Sequence, residues 1–204
     1  MRDKLMNSYA LRGPLAALAA FLVVAFLVVP AFAASGKEAP HEIRDLVVVE
    51  KQGRLLAFLS LNGAFSPEVF EALHSGVTTR FTYEIALMRS RPIIYDLELS
   101  RQTIVHQVKY DTLKKAYTFG SQNGSEEKIE KVTKSRREMM DWMAEINGHA
   151  IEQVRDLNAK GRYYLQVRAN LNSVDFAFPF NYMLSFLAKK TPWHASKTFS
   201  ARGM

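Results

Sequence analysis

Between Val77 and Tyr110 the chain alternates apolar and polar residues with a period of two, and few folds tolerate that pattern over such a length. Phe81, Tyr83, Ile85 and Leu87 interleave with Arg80, Thr82 and Glu84. After a turn at Arg89-Ser90-Arg91-Pro92, Ile93, Tyr95, Leu97 and Leu99 interleave with Asp96, Glu98 and Ser100. Successive strand side chains point to opposite faces, so this spacing predicts a long antiparallel hairpin with one covered and one wet face. Beyond Leu99 the apolar set moves to Ile104, His106, Val108 and Tyr110. A one-residue slip would expose that whole set, so a bulge is expected between Ser100 and Thr103.

Further strands are read at Ile43–Val49, Leu55–Leu61, around Lys115–Phe119, Ile151–Leu157 and Arg162–Leu171. The first two are apolar on both faces, which predicts central positions, and Glu50–Arg54 joins them as a hairpin loop. Ser66-Pro67-Glu68 punctuates a short helix carrying Val69, Phe70 and Leu73, closed by a left-handed Gly76. Ser135-Arg-Arg-Glu138 has the form of a capping box. It starts a second helix whose face is Met139, Trp142, Met143 and Ile146, running to Asn147-Gly148. Gly120–Glu127 reads as a flexible loop, Pro179–Leu187 as a third short helix, and Trp193–Phe199 as a terminal strand or tail. The expected fold is mainly β within the α+β class. It is an antiparallel β-sandwich-like domain of roughly seven or eight strands with two or three short helical insertions, preceded by an N-terminal signal helix.

The N-terminus sets the expected compartment. Arg2, Lys4 and Arg12 precede an uninterrupted apolar run from Leu15 to Val29. Pro30 then breaks the helix, and Ala31-Phe32-Ala33 offers the small-x-small site of a signal peptidase. Cleavage between Ala33 and Ala34 is expected, which divides the chain into a leader (1–33), a polar spacer (34–42), one β-rich domain (43–199) and a tail (200–204). The rival reading keeps the leader as a membrane anchor. Either way the domain is exported, to the periplasm or to the periplasmic side of the inner membrane.

Composition narrows the function classes. The chain is 48% hydrophobic and 23% charged, enough for a packed core, and it has no Cys. Disulfides, thiolate nucleophiles and cysteine zinc sites are therefore excluded. The net charge of +7 falls to +5 once the leader's three cations and Asp3 are set aside. That excess is scattered, with no basic stripe of interleaved aromatics, so no nucleic-acid partner is expected.

The order of several short motifs resembles a family of uncharacterised bacterial envelope proteins, domain of unknown function 4390. These motifs are Glu71–Gly76, the hairpin arginines Arg89 and Arg91, Val108–Leu113 before Tyr117, Tyr163–Arg168, Leu171 and a late Trp193. The resemblance runs from about Ile43 to Phe199, and it departs where Phe178-Pro179 stands in place of a Leu-Pro pair. It implies export and a shared fold, and no activity or cofactor.

Candidate chemistry is sparse. The histidines (His41, His74, His106, His149, His194) form no zinc spacing. His106, on the apolar face, is a hydrogen-bonded core residue or, alternatively, a ligand or base. Asp96 and Glu98 share a strand face and suit either a hard cation or a solvated surface. Arg89 and Arg91 at the hairpin tip are an ordinary solvated turn or, alternatively, cations for an acidic partner group. Trp193, with Tyr182, Phe186 and Lys189-Lys190, suits either a partner- or membrane-facing segment or packing across an open end of the sandwich. No nucleophile elbow, phosphate loop or dinucleotide fingerprint is present, so no cofactor and no metal site is expected. The expected role is a non-catalytic binding or accessory module for an envelope protein, lipid or glycan. A periplasmic hydrolase using His106, Asp96 or Glu98, and a tethered structural or sensory domain, are the alternatives.

Overall fold

The computed structural model describes residues 41–124, 129–151, 157–158, 160–173 and 189–200. The leader, its Ala33–Ala34 junction, the Pro179–Leu187 helix, and Tyr182 and Phe186 lie outside these residues.

Two antiparallel sheets and two short helices share one core. The larger sheet has eight strands and is built on β3 (Thr79–Ser90), β4 (Leu97–Asp111), β5 (Ala116–Asn123), β6 (Ile129–Thr133) and β8 (Arg162–Ser173), in the order β8-β3-β4-β5-β6. The two-residue strands β9 (Lys189–Lys190), β10 (His194–Ala195) and β11 (Phe199–Ser200) pair with the outer side of β8. The smaller sheet has three strands, β1 (Glu42–Lys51), β2 (Arg54–Asn62) and β7 (Glu145–Ile151), in that order. Helices α1 (Pro67–His74) and α2 (Arg136–Ala144) complete the cover.

Alternation places the core as expected. Phe81, Tyr83, Ile85 and Leu87 of β3 are buried beside Tyr163, Leu165, Val167, Ala169 and Leu171 of β8 and beside Ile104, His106 and Val108 of β4. Leu55, Ala57, Leu59 and Leu61 of β2 meet them from the smaller sheet. Each large side chain taken out of water this way contributes roughly 1.5–3 kcal/mol before chain entropy is counted. The Gln52-Gly53 turn between β1 and β2 has positive φ at both residues, the geometry that matches strand twist in a two-residue hairpin. At the C-terminus of α1, Gly76 takes φ 86°, as its position after the helix requires.

Several expectations need correction. β1 is an edge strand with Val47 and Val49 exposed, so only β2 is central in its sheet. The long hairpin does not turn tightly at Arg89–Pro92. Arg89 pairs with Leu97, and Arg91–Asp96 forms a protruding loop, leaving Ile93 at 93% and Tyr95 at 97% exposure. The bulge falls at Leu99, where Leu87 pairs with Ser100 and Met88 with Glu98, one residue earlier than the phase change suggested.

β5 continues through Gly120 to Asn123, because Gly120 is paired on both sides, with Gln107 and Glu130. Its partner β6 was not read from the sequence. Helix α2 stops at Ala144, so Ile146 is buried on β7, which runs to Ile151; residues 152–156 of the strand expected over Ile151–Leu157 lie outside the described residues. Only half of the capping box forms. Ser135 Oγ accepts from the Glu138 amide at 3.3 Å, while Thr133 Oγ1 takes the Ser135 amide and donates to the Glu138 carboxylate. Ser66 likewise makes no side-chain cap to the α1 amides.

Candidate functional site

The eight-stranded sheet is wider than the three-stranded one, and the mismatch leaves a cleft of about 430 Å³ near the β6 end. Its floor is Ile104 and His106 of β4, Phe119 and Ser121 of β5, and Ile129 and Lys131 of β6. Its far wall is Trp142 at the end of α2, then Glu145 to Ala150 along β7. Register explains the floor, since Ser121 pairs with His106 and with Ile129, and Phe119 with Lys131, all on the inner face. Trp142 packs 5.8 Å from Phe119, with the Lys131 ammonium 5.3 Å from its ring centre.

His106 sits at the back of this cleft, 5% exposed. Nδ1 lies 3.1 Å from the main-chain oxygen of Met143. A carbonyl only accepts, so Nδ1 carries the proton in the neutral ring. Tyr83 and Phe119 pack edge-on at 5.2 Å. Burial pushes the imidazole down to about 4, against the Met143 hydrogen bond and with help from the nearby His149 and Lys131. At neutral pH it is an uncharged packing group and a weak base. His149 donates Nε2–H to Gln102 Oε1 at 3.1 Å. Asp141 and Glu145 reach the cleft rim.

The remaining predicted residues lie on the opposite, wet face of the large sheet or at its end. Asp96 and Glu98 do not act together. Asp96, in the loop, accepts from the Tyr164 hydroxyl at 2.7 Å and the Arg91 amide at 2.8 Å, which hold its carboxyl below the usual range; burial, with the Asp96 bond adding to it, pushes Tyr164 up to about 12. Glu98 pairs with Arg101 bidentately, accepting from Nε at 3.0 Å and Nη2 at 2.5 Å, and is likewise lowered. Arg101 also reaches Glu84 at 3.1 Å, and Arg168 grips the same carboxylate bidentately at 3.0 and 2.7 Å. Asn170 adds a bond at 3.3 Å; the Arg168 guanidinium first, with Lys190 and Arg101, holds Glu84 below the usual range. Trp193 lies against this cluster, its ring centre 4.4 Å from the Arg168 guanidinium and 5.2 Å from that of Arg101. Trp193 thus packs on arginines of its own chain, and Arg89 and Arg91 flank the exposed loop. Among the described residues no group of three or more His, Asp or Glu could hold a metal ion.

Glu84, Arg101, Arg168 and Tyr164 escaped the sequence reading because they meet only across strand pairs far apart in the chain. Glu84 opposite Arg168 is a β3–β8 register position.

Residues 38–197 match the family model of domain of unknown function DUF4390. The chain belongs to the DUF4390 family. The matched region takes in both sheets except the terminal β11, together with the cleft, the Glu84 cluster and Trp193, so these features sit inside the DUF4390 domain. No curated protein and no solved structure matches the chain.

Proposed function

We propose that this DUF4390 protein is an exported envelope component and a non-catalytic accessory module that grips an extended, partly apolar segment of a partner protein in the cleft beside β6. The cleft carries this reading. Its volume lies in the range of working binding sites, and its walls are aliphatic and aromatic with a few polar groups. It also opens next to β6, the end strand of its sheet, where an extended chain finds both main-chain partners and alternating side-chain seats. Lys131 points inward there, a device that discourages indiscriminate edge pairing and leaves selection to the pocket. Export is supported by the leader and its Ala33–Ala34 junction. The hydrolase alternative draws on His106, Asp96 or Glu98; only His106 lines the cleft, where burial weakens it as a base, while Asp96 and Glu98 are bonded to Tyr164 and Arg101 elsewhere.

A photo-crosslinking side chain placed at Ile129 or Ala150, both on the cleft, tests this in intact cells, with Leu113 as the control position. Crosslinks to one discrete protein from the two cleft positions and none from 113 are expected. Capture of lipid or glycan alone, or equal products from all three positions, overturns the reading. N-terminal sequencing of the same material tests export by cleavage, with Ala34 expected as the first residue.

A further inference from the structure

We propose that the loop Arg91–Asp96 is a membrane-docking tip that seats on an anionic phospholipid surface. Ile93, Ile94 and Tyr95 stand 93%, 63% and 97% exposed, one after another, on a loop that projects past the last β3–β4 pair. Three consecutive apolar side chains in water serve no folding purpose, and such a run is retained where it has a surface to enter.

The tip is also held in shape. The Asp96 carboxylate ties the loop's start to its end through the Arg91 amide, and ties both to β8 through the Tyr164 hydroxyl. The ordering entropy that a floppy loop would lose on docking is therefore already spent in the fold.

Charge selects the occupant. Arg89 and Arg91 flank the tip, and Ser90 pairs with Arg162, which brings Arg162 and the neighbouring Lys160 to the same end of the sheet. Of the acidic groups described at this end, Asp96 keeps its charge within the loop and Glu98 is matched by Arg101, so the four cations outnumber the one unmatched carboxylate. An apolar point within a basic collar complements acyl chains beneath anionic headgroups. A convex tip with splayed side chains needs no complementary groove, which favours a fluid surface over a folded partner. The tip shares no residue with the cleft, so either assignment can fail without the other.

Because the chain has no Cys, Ile94→Cys accepts a single environment-sensitive dye, and Leu113→Cys, 94% exposed at the far end of β4, is the control. The full chain is reconstituted with vesicles of phosphatidylglycerol and phosphatidylcholine, and with phosphatidylcholine alone. A retained leader holds every variant on the vesicle alike, so the dye reports the tip itself. A blue shift and intensity gain at 94, only with the anionic lipid and absent at 113, is expected. Arg89→Ser and Arg91→Ser each reduce the docked-to-undocked ratio roughly fivefold, the equivalent of about 1 kcal/mol per cation near such a surface. Arg91→Ser keeps the amide that Asp96 holds. Unchanged emission at 94, an equal response at 113 or with neutral lipid, or indifference to both arginine substitutions overturns the proposal. A shift that follows protein concentration without lipid assigns the tip to a second copy of the chain and overturns it equally.

Discussion

The hydroxyl of Tyr83 and Nδ1–H of His106 converge on a single main-chain oxygen, that of Met143, at 2.7 and 3.1 Å. Met143 lies in the last turn of α2, where helical carbonyls have no partner of their own. Two buried side chains from neighbouring strands supply what the helix lacks, and the chain is released into β7 two residues later.

His106 makes stability depend on acidity. Its folded pKa of about 4 lies below the ordinary 6.5, so as pH falls the unfolded chain takes up the proton first. The stabilisation is complete above the ordinary value and is lost between there and the folded one, roughly 3 kcal/mol in all. In His106→Phe, denaturant unfolding followed from neutral pH to about 4 should show a flatter decline across that window. An unchanged slope contradicts this account of the imidazole.

Tyr83→Phe keeps a fully buried ring and removes one donor, which should cost about 1–2 kcal/mol. With His106→Phe in the same chain, the Met143 carbonyl loses both donors within the core. The double variant should therefore lose more than the sum of the singles, measured as a coupling energy by equilibrium unfolding.

Glu84→Gln leaves Arg168 and Arg101 facing each other without the carboxylate between them. A loss of about 1–3 kcal/mol is expected, with altered Trp193 emission measured in a Trp142→Phe background. The Glu84 carboxyl is lowered, chiefly by Arg168, so its contribution is present above the ordinary carboxylate pKa and disappears as pH falls through the lowered one. This loss lies at lower pH than most of the His106 window, and Glu84→Gln should remove only that more acidic part of the decline.

Gly161→Ala tests close packing. A Cβ there would stand 2.5 Å from Cζ of Tyr163 and closer still to its hydroxyl, and Tyr163 is 1% exposed between β3 and β11. Either the ring or the chain must shift, breaking the Tyr163 hydroxyl bond to the Asn158 carbonyl. A cost of about 1–3 kcal/mol is expected, visible as a lowered Tm.

What the sequence disclosed follows the physics of each signal. Period two is a local property, so Phe81 to Leu87 and Tyr163 to Leu171 were legible as buried faces before any fold was known. The pattern misled at Ile93 and Tyr95, where the same alternation runs through a loop fixed by Asp96 and Tyr164, two residues 68 positions apart. The α2 boundary was misread because Met139, Trp142, Met143 and Ile146 keep a helical spacing. The Met143 carbonyl at the helix end is instead taken by two side chains from β3 and β4, 60 and 37 positions away in the chain. The cleft depends on the unequal widths of two sheets, which no single segment encodes, and β6 (Ile-Glu-Lys-Val-Thr) is too short and polar to announce itself.

The Met143 clamp also carries an order of events. A helix of nine residues does not persist alone in water, and its two restraining donors lie 60 and 37 positions earlier in the chain. Until β3 and β4 are side by side there is nothing to hold its end. The hairpin is therefore expected to assemble first, with α2 and β7 closing over it afterwards; faster amide hydrogen exchange in α2 and β7 than in β3 and β4 would bear this order out, and equal protection would overturn it.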